Sequence, residues 1–274
     1  MVQNIDSNGQ KITKLKKKEG EELLRGHNKE GKLVEKTIGT HLEHTINLVK
    51  ICETIAQFFP SEWRERFLKK IKAAAILHDI GKTGPMDTSI TEQKTFVRLF
   101  SFYEPNYEDG RNLSNLTISE AIDRHSLPEE KEEMLASLPG LGLKPDQKMS
   151  EVFGKHVDYT YQILRSIPNL DPEIIFIASS HHRSLHNYPY DLTEEQLKSL
   201  LPVDEESIED LETAATILEI ADVYEALSSR GEEKSDPKQI IDEMLRLYNR
   251  VNSEPEIRHA KRGIDILMRM KSEL

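Results

Sequence analysis

The sequence contains a single cysteine, Cys52, among its 274 residues. A disulfide framework is therefore excluded, and the chain suits a reducing compartment. The sequence also lacks any run of 18 apolar residues, and its first residues form no apolar segment. Neither a membrane span nor a signal peptide is predicted. We therefore expect a soluble protein in the cytoplasm.

Basic residues are in the minority. The chain has 37 lysines and arginines against 48 aspartates and glutamates, which gives a formal net charge of −11. This balance argues against general binding of nucleic acid or of an anionic membrane. An anionic small-molecule substrate would need a local positive site, such as bound metal ions, to overcome the field of the whole protein.

Alternating polar and apolar positions, which are typical of β-strands, are also missing. The β-branched residues occur at helical spacing instead, and this predicts an all-α fold. Residues 1–36 are polar and lysine-rich, so we predict a flexible N-terminal segment followed by one domain over 37–274. Residues 84–149 mix glycine, proline and asparagine with short apolar runs, and we interpret them as an insertion with one or two helices and much loop.

Helices are predicted between these segments from the apolar spacing. One begins near Gly39, and the next has Ser61 as its N-cap and runs to Asp79. Asp171 and Pro172 are typical of the N-cap and first position of another helix. Further helices are predicted over 150–167, 194–201 and 206–229, with two more at the end of the chain.

An adjacent histidine and aspartate, His78-Asp79, close the second of these helices. Gly81, which can end a helix, and Lys82 follow. Because His78 continues the apolar stripe, it should be buried, and a buried His-Asp pair is costly unless each member has a strong partner. A divalent metal would satisfy both. On this stretch alone, a helix-ending aspartate beside a hydrogen-bonded histidine explains the pattern equally well.

Similar ionisable side chains occupy the inward faces of five predicted helices. These residues are His44, His78, Asp79, His156, His181 and Asp222. If the helices share one core, the side chains converge, and a metal centre is the simplest common partner; the alternative is a set of unrelated buried polar residues. With His182, six or seven nitrogen and oxygen ligands exceed what one catalytic ion with open positions needs, so we expect two metals.

The order of His44, His78-Asp79 and Asp222 resembles the HD-domain superfamily of metal-dependent phosphohydrolases. Three further segments resemble its HD-GYP branch, which is associated with bacterial cyclic di-GMP phosphodiesterases. They are Phe153-Gly154-Lys155-His156, His181-His182 and Ile217 to Arg230. The chain departs from the branch in having Asn187-Tyr188-Pro189 in place of Gly-Tyr-Pro, few arginines after Asp222, and a spacing of 77 residues from Asp79 to His156.

The resemblance implies a role for each candidate residue. Asp79 would bridge the two metals, with His44, His78 and Asp222 on one and His156, His181 and His182 on the other. His182 directly follows His181 and should not share its helix face, so a role in positioning the other ligands is its alternative. Lys82 would neutralise charge on phosphate, Arg183, Tyr188 and Arg230 would contact substrate, and Glu225 would transfer protons. Iron or manganese is expected, with zinc, nickel and magnesium as alternatives.

These roles predict a phosphodiesterase that hydrolyses a cyclic dinucleotide, cyclic di-GMP first, through a metal-bridging hydroxide. One alternative is hydrolysis of another nucleotide phosphate ester. A second is a metal-bound domain without turnover that senses a nucleotide or docks a partner. The expected partner is a small-molecule nucleotide, not nucleic acid or a membrane, and a homodimer or a signalling-protein partner stays open.

Overall fold

Ten α-helices make up the part of the chain that the structure describes. The computed structural model describes residues 29–102, 112–182, 205–229, 236–250 and 254–273. The helices are α1 Lys29–Ala56, α2 Ser61–Leu77, α3 Ile90–Ser101, α4 Ile118–His125, α5 Pro128–Ser137, α6 Met149–Ser166, α7 Pro172–Ser179, α8 Glu205–Ser229, α9 Pro237–Tyr248 and α10 Glu254–Ser272. In these ranges the only β pairing is an isolated bridge between Thr117 and Lys148. The all-α prediction is confirmed.

The chain divides into two units, Met1–Ile46 and Asn47–Leu274. In the first unit, helix begins at Lys29, before the Gly39 at which the apolar spacing starts. The start of the predicted domain at residue 37 stays a prediction. None of the described helices has the length and apolar character needed to cross a membrane.

One apolar core fills most of the second unit. Fully buried side chains from the end of α1 and from α2, α7, α8, α9 and α10 meet in it. They include Cys52, Phe67, Phe176, Leu218, Met244 and Leu267. Removing this surface from water is the main source of stability for the unit. The core also fixes the ends of α2 and α7, which carry the candidate site.

Residues 84–149, which the sequence analysis predicts to be an insertion, are more helical than their composition predicts. They contain three helices, α3 to α5, and two 3₁₀ turns, Leu113–Asn115 and Pro139–Leu141. Their apolar side chains form a second cluster with the start of α6. Capping boxes start α3 and α4: the Ser89 hydroxyl accepts from the Glu92 N–H at 3.3 Å, and the Glu92 carboxylate accepts from the Ser89 N–H at 2.6 Å. Such caps let short helices form in a segment rich in turn residues.

Both ends of α2 differ from the prediction. Ser61 is the first helical residue, and Pro60 holds the N-cap position that was predicted for Ser61. The helix ends at Leu77, and Ile80–Thr83 forms a separate 3₁₀ turn that includes Gly81. Gly81 therefore does not terminate α2. It lets this turn lie directly against the backbone of α6.

Gly81→Ala is expected to destabilise the protein by about 3 kcal/mol, at the upper end of overpacking costs. An added Cβ would lie 1.9 Å from the His156 carbonyl oxygen and 2.4 Å from the Thr160 amide nitrogen, and neither backbone atom can move freely. Urea unfolding measures the change. Gly142→Ala is the control: Gly142 has a φ of 62° in the left-handed region and open space where the Cβ would lie, so a loss of about 1–2 kcal/mol is expected. Equal losses would contradict the close approach at Gly81.

Candidate metal centre

The turn after α2 buries the His78-Asp79 pair. Both residues are almost fully buried. The His78 Nδ1–H donates to the Ala75 carbonyl oxygen at 2.9 Å, one turn back in α2. Its Nε2 lies 3.3 Å from Asp79 Oδ2 and 3.9 Å from Asp222 Oδ1. Burial lowers the pKa of His78, but the two carboxylates outweigh burial and raise it.

His156 and His181 repeat this arrangement on other elements. In each ring Nδ1 faces a backbone carbonyl three residues back, that of Phe153 for His156 and that of Ala178, at 2.6 Å, for His181. A carbonyl only accepts hydrogen bonds, so Nδ1 carries the proton in the neutral rings. Each Nε2 then bears a lone pair, which is the form of imidazole that ligates a metal.

The two Nε2 atoms of this pair lie 3.2 Å apart. Facing lone pairs at this distance repel unless a cation lies beside them. A proton is disfavoured, because burial lowers the pKa of His156 to about 4 and that of His181 well below its usual value. Positive charge on His78 also lowers the pKa of both His156 and His181. The donor set therefore fits a divalent metal ion, which imidazole nitrogen binds well.

The Asp79 carboxylate faces a different set of histidines with each oxygen. Its Oδ1 lies 3.6 Å from His156 Nε2 and 3.9 Å from His181 Nε2. Its Oδ2 faces His78 and forms an ion pair with the Lys82 ammonium group. Burial raises the pKa of Asp79, but the charges of His78 and Lys82 outweigh it and hold the pKa well below its usual range. The group is ionised at neutral pH and can face two cations.

His182 lies closer to His181 than the sequence predicts. Helix α7 begins as predicted, with Asp171 Oδ1 accepting from the Glu173 N–H at 2.9 Å, but it ends at Ser179. His181 and His182 therefore occupy the turn beyond it, and their ring centroids are 4.1 Å apart. The expectation that helix geometry separates them is wrong. One ligand atom from each of His156, His181 and His182 lies within 4.8 Å of the others, so this group could hold a metal ion.

Helix α8 carries two carboxylates, and that of Asp222 lies beside His78 of this cluster. Asp222 follows the buried stripe of Leu211, Ala215 and Leu218, as predicted, and its side chain is 16% exposed. Glu225, one turn further, is buried. It lines a groove of about 310 Å³ together with Asn47, Lys50, Ile51, Ser228 and Ser229.

The roles of all the predicted site residues stay predictions, and for four of them no surroundings are described. His44 belongs to α1 within the unit Met1–Ile46, and nothing further is assigned to it. The substrate contacts expected from Arg183, Tyr188 and Arg230 lie outside the described residues, as does the helix predicted over 194–201.

Two residues near the site were not singled out from the sequence. Thr160 is fully buried, and its Oγ1 donates to the His78 carbonyl oxygen at 2.8 Å and accepts from the Gly81 N–H at 3.0 Å. The sequence feature that points to Thr160 is the presence of a polar residue on the apolar stripe of α6. Phe100, from the insertion, packs edge-on against His156 with centroids 5.7 Å apart. The apolar run from Phe96 to Phe102 was its only signal.

Thr160→Val is expected to cost about 2–6 kcal/mol of stability and to weaken metal binding. Valine has nearly the same shape but leaves two buried backbone groups without hydrogen bonds, at about 1–3 kcal/mol each. Urea unfolding and a manganese titration measure the two effects. Thr160→Ser keeps the hydroxyl and should recover most of the metal affinity. Equal metal affinities for the valine and serine variants would contradict a role for the hydroxyl in holding His78.

Comparison with known protein families agrees with this chemistry. The model of the HD domain family matches residues 41–148, a segment that contains His44, His78-Asp79 and Lys82 and ends before His156. The match supports the HD-domain superfamily and indicates a metal-dependent phosphohydrolase. No curated protein and no solved structure matches the chain. The HD-GYP branch stays a prediction.

Proposed function

We propose that this chain is a dinuclear metal-dependent phosphodiesterase that hydrolyses a cyclic dinucleotide, with cyclic di-GMP as the first candidate. The position of Asp79 carries the proposal. Its Oδ1 faces His156 and His181, and its Oδ2 faces His78. A carboxylate between two sets of imidazole nitrogens suits a bridge between two cations.

The ligands divide accordingly in the proposal. His44, His78 and Asp222 would hold one metal, and His156, His181 and His182 the other, with Asp79 shared. Iron or manganese is expected. Two divalent metals polarise phosphate oxygens and supply a nucleophilic water at neutral pH.

The residues of the chain supply orientation and charge. The carbonyls of Ala75 and Ala178 fix the rings of His78 and His181 so that Nε2 faces inward. Lys82 places a cation beside Asp79, where it can neutralise negative charge that grows on phosphate oxygens. Hydrolysis forms a bond from water oxygen to phosphorus and breaks the bond to a ribose oxygen. That oxygen must gain a proton, and Glu225 is the candidate donor.

The groove beside Glu225 supports a nucleotide substrate. Its lining offers amide, ammonium, hydroxyl and carboxylate groups, which suit a nucleobase and its ribose. Glu225 lies one helical turn from Asp222, so a nucleoside in the groove would have its phosphate close to the cluster.

A second candidate is a phosphate ester of a single nucleotide, because few arginines follow Asp222 to hold the phosphates of a cyclic dinucleotide. The family match is to the broad HD domain and agrees with either substrate.

Turnover by manganese- or iron-loaded protein tests both candidates. Cyclic di-GMP, other cyclic dinucleotides, and nucleoside mono- and triphosphates are incubated separately, and products are separated by chromatography. A linear dinucleotide from cyclic di-GMP supports the proposal. Hydrolysis of mononucleotides alone supports the second candidate. Binding of a nucleotide by fully metal-loaded protein without any product would contradict both and indicate a sensor.

A further inference from the structure

We propose that Phe100 is a positioning residue for two groups of the metal centre, the imidazole of His156 and the ammonium group of Lys82. Through this one ring, the segment 84–149 takes part in metal binding and in the recognition of phosphate. The inference deepens the proposed function and rests on the roles that His156 and Lys82 have in it.

The ring of Phe100 contacts both groups. Its centroid lies 5.7 Å from that of the His156 ring, and the two planes are inclined by 77°. The Lys82 Nζ lies over the same phenyl ring, 5.8 Å from its centroid. Aromatic rings attract each other edge to face, and a cation over a ring face is attracted within about 6 Å. Both groups that Phe100 contacts also face the Asp79 carboxylate.

Phe100 is itself held in place by neighbouring aromatic rings. Phe96, one helical turn earlier in α3, is fully buried, and its ring centroid lies 5.2 Å from that of Phe100 and 5.4 Å from that of Tyr159 in α6. The ring centroid of Phe153, also in α6, lies 5.4 Å from that of Phe100. Phe96 also packs on the end of the 3₁₀ turn, because a Cβ added to Gly84 would lie 3.4 Å from the Phe96 Cβ. The packing of α3 on α6 and on the turn therefore determines where the Phe100 ring lies.

The contact with His156 restrains the imidazole ring from a second direction. The Nδ1–H already donates to the Phe153 carbonyl oxygen, which restrains one edge of the ring. Phe100 packs against the ring from the segment 84–149, so that Nε2 keeps facing Asp79 Oδ1 at 3.6 Å. Residues that orient a ligating histidine in this way raise its affinity for metal without touching the ion.

The contact with Lys82 restrains a flexible side chain. Lys82 is 35% exposed, and its four-carbon stem permits many rotamers. The face of the Phe100 ring stabilises those rotamers in which Nζ stays beside Asp79. Phosphate that binds at the metal centre then meets a charge that is already in place, and less conformational entropy is lost on binding.

Calorimetric titration of chelator-treated protein with manganese tests the contact with His156. Phe100→Leu keeps an apolar side chain but removes the ring, and should lower manganese affinity by about tenfold, the smaller effect expected of an outer partner. Phe100→Tyr keeps the ring and should restore the wild-type affinity. Phe102→Leu is the matched control, because Phe102 is a buried phenylalanine of the same segment whose ring stacks on His125. It should keep the wild-type manganese affinity.

Binding of inorganic phosphate at saturating manganese tests the contact with Lys82. Phe100→Leu should weaken phosphate binding by about threefold, the scale of one cation–π contact at a partly exposed site. Lys82→Met should weaken it further. The double variant should bind phosphate as Lys82→Met does, because the ring acts through the ammonium group. Additive losses would contradict that route.

The results separate this inference from the proposed function. Wild-type affinities for manganese and phosphate in a folded Phe100→Leu variant would overturn the inference and leave the metal centre intact. Equal losses in Phe102→Leu would also overturn it, since any damage to the segment would then have the same effect. A wild-type chain that binds no manganese would overturn the proposed function itself. Melting curves verify that each variant is folded, and Phe100→Met replaces Phe100→Leu if the leucine variant is not.

Discussion

Asp79→Asn is expected to lower metal affinity by more than about 100-fold and to abolish turnover. The loss should exceed that caused by removing an outer partner of a metal ligand, which costs about 10–100-fold. Asparagine keeps the size of the side chain but removes the charge that faces His156 and His181 through one oxygen and His78 through the other. Both metal positions should therefore weaken together.

Manganese titration and turnover assays measure these effects on the same sample. Asp146→Asn is the matched control, because Asp146 is an exposed aspartate in the turn before α6 and should change neither quantity. If Asp79→Asn weakened only one of two metals, Asp79 would be a ligand of one ion and not a bridge.

Metal-free protein is expected to lose stability as the pH falls from about 6.5 to about 4. Burial lowers the pKa of His156 to about 4 and holds that of His181 well below its usual value. Between these values the unfolded chain binds protons that the folded chain does not, so the free energy of unfolding falls with pH. For His156 alone the loss is about 3 kcal/mol over this window.

Two other groups of the cluster act outside this trend. The pKa of His78 is raised, so its contribution to the free energy of unfolding is present at low pH and is lost as the pH rises through the raised pKa. The pKa of Asp79 is lowered, so its contribution is lost only below the ordinary aspartate range. His156 and His181, whose pKa values are lowered, should therefore determine how the free energy of unfolding changes between pH 6.5 and 4.

Urea unfolding in the presence of a chelator, at several pH values, measures this dependence. His156→Gln should flatten it, since one of the two responsible groups is gone. His125→Gln is the control, because His125 stacks on Phe102 within the insertion. An unfolding free energy that is constant from pH 6.5 to 4 would contradict the buried, neutral histidines.

Much of the fold could be predicted from the sequence because helical spacing survives in long segments. Helix α8, Glu205–Ser229, agrees with its predicted range of 206–229 to within one residue, and Pro172 begins α7 as predicted. The insertion was underestimated because its helices are short, and their capping boxes at Ser89 and Thr117 are local signals within a stretch rich in turn residues.

The site could be predicted as residue types but not as geometry. Spacing on the apolar stripes indicated that His78, His156 and Asp222 are inward-facing. It did not indicate that α7 stops at Ser179, which places His181 and His182 side by side. The role of Thr160 could not be predicted from this spacing either. Its two hydrogen bonds join segments about 80 residues apart in the chain and depend on how α6 packs on the 3₁₀ turn.

The metal content of the purified chain tests the central claim most directly. Protein prepared under reducing conditions with iron or manganese supplied is passed through a desalting column, and metal per chain is measured by mass spectrometry. The account predicts two ions per wild-type chain and a clear loss in Asp79→Asn. A folded wild-type chain that retains no metal would contradict the interpretation of this cluster as a metal centre.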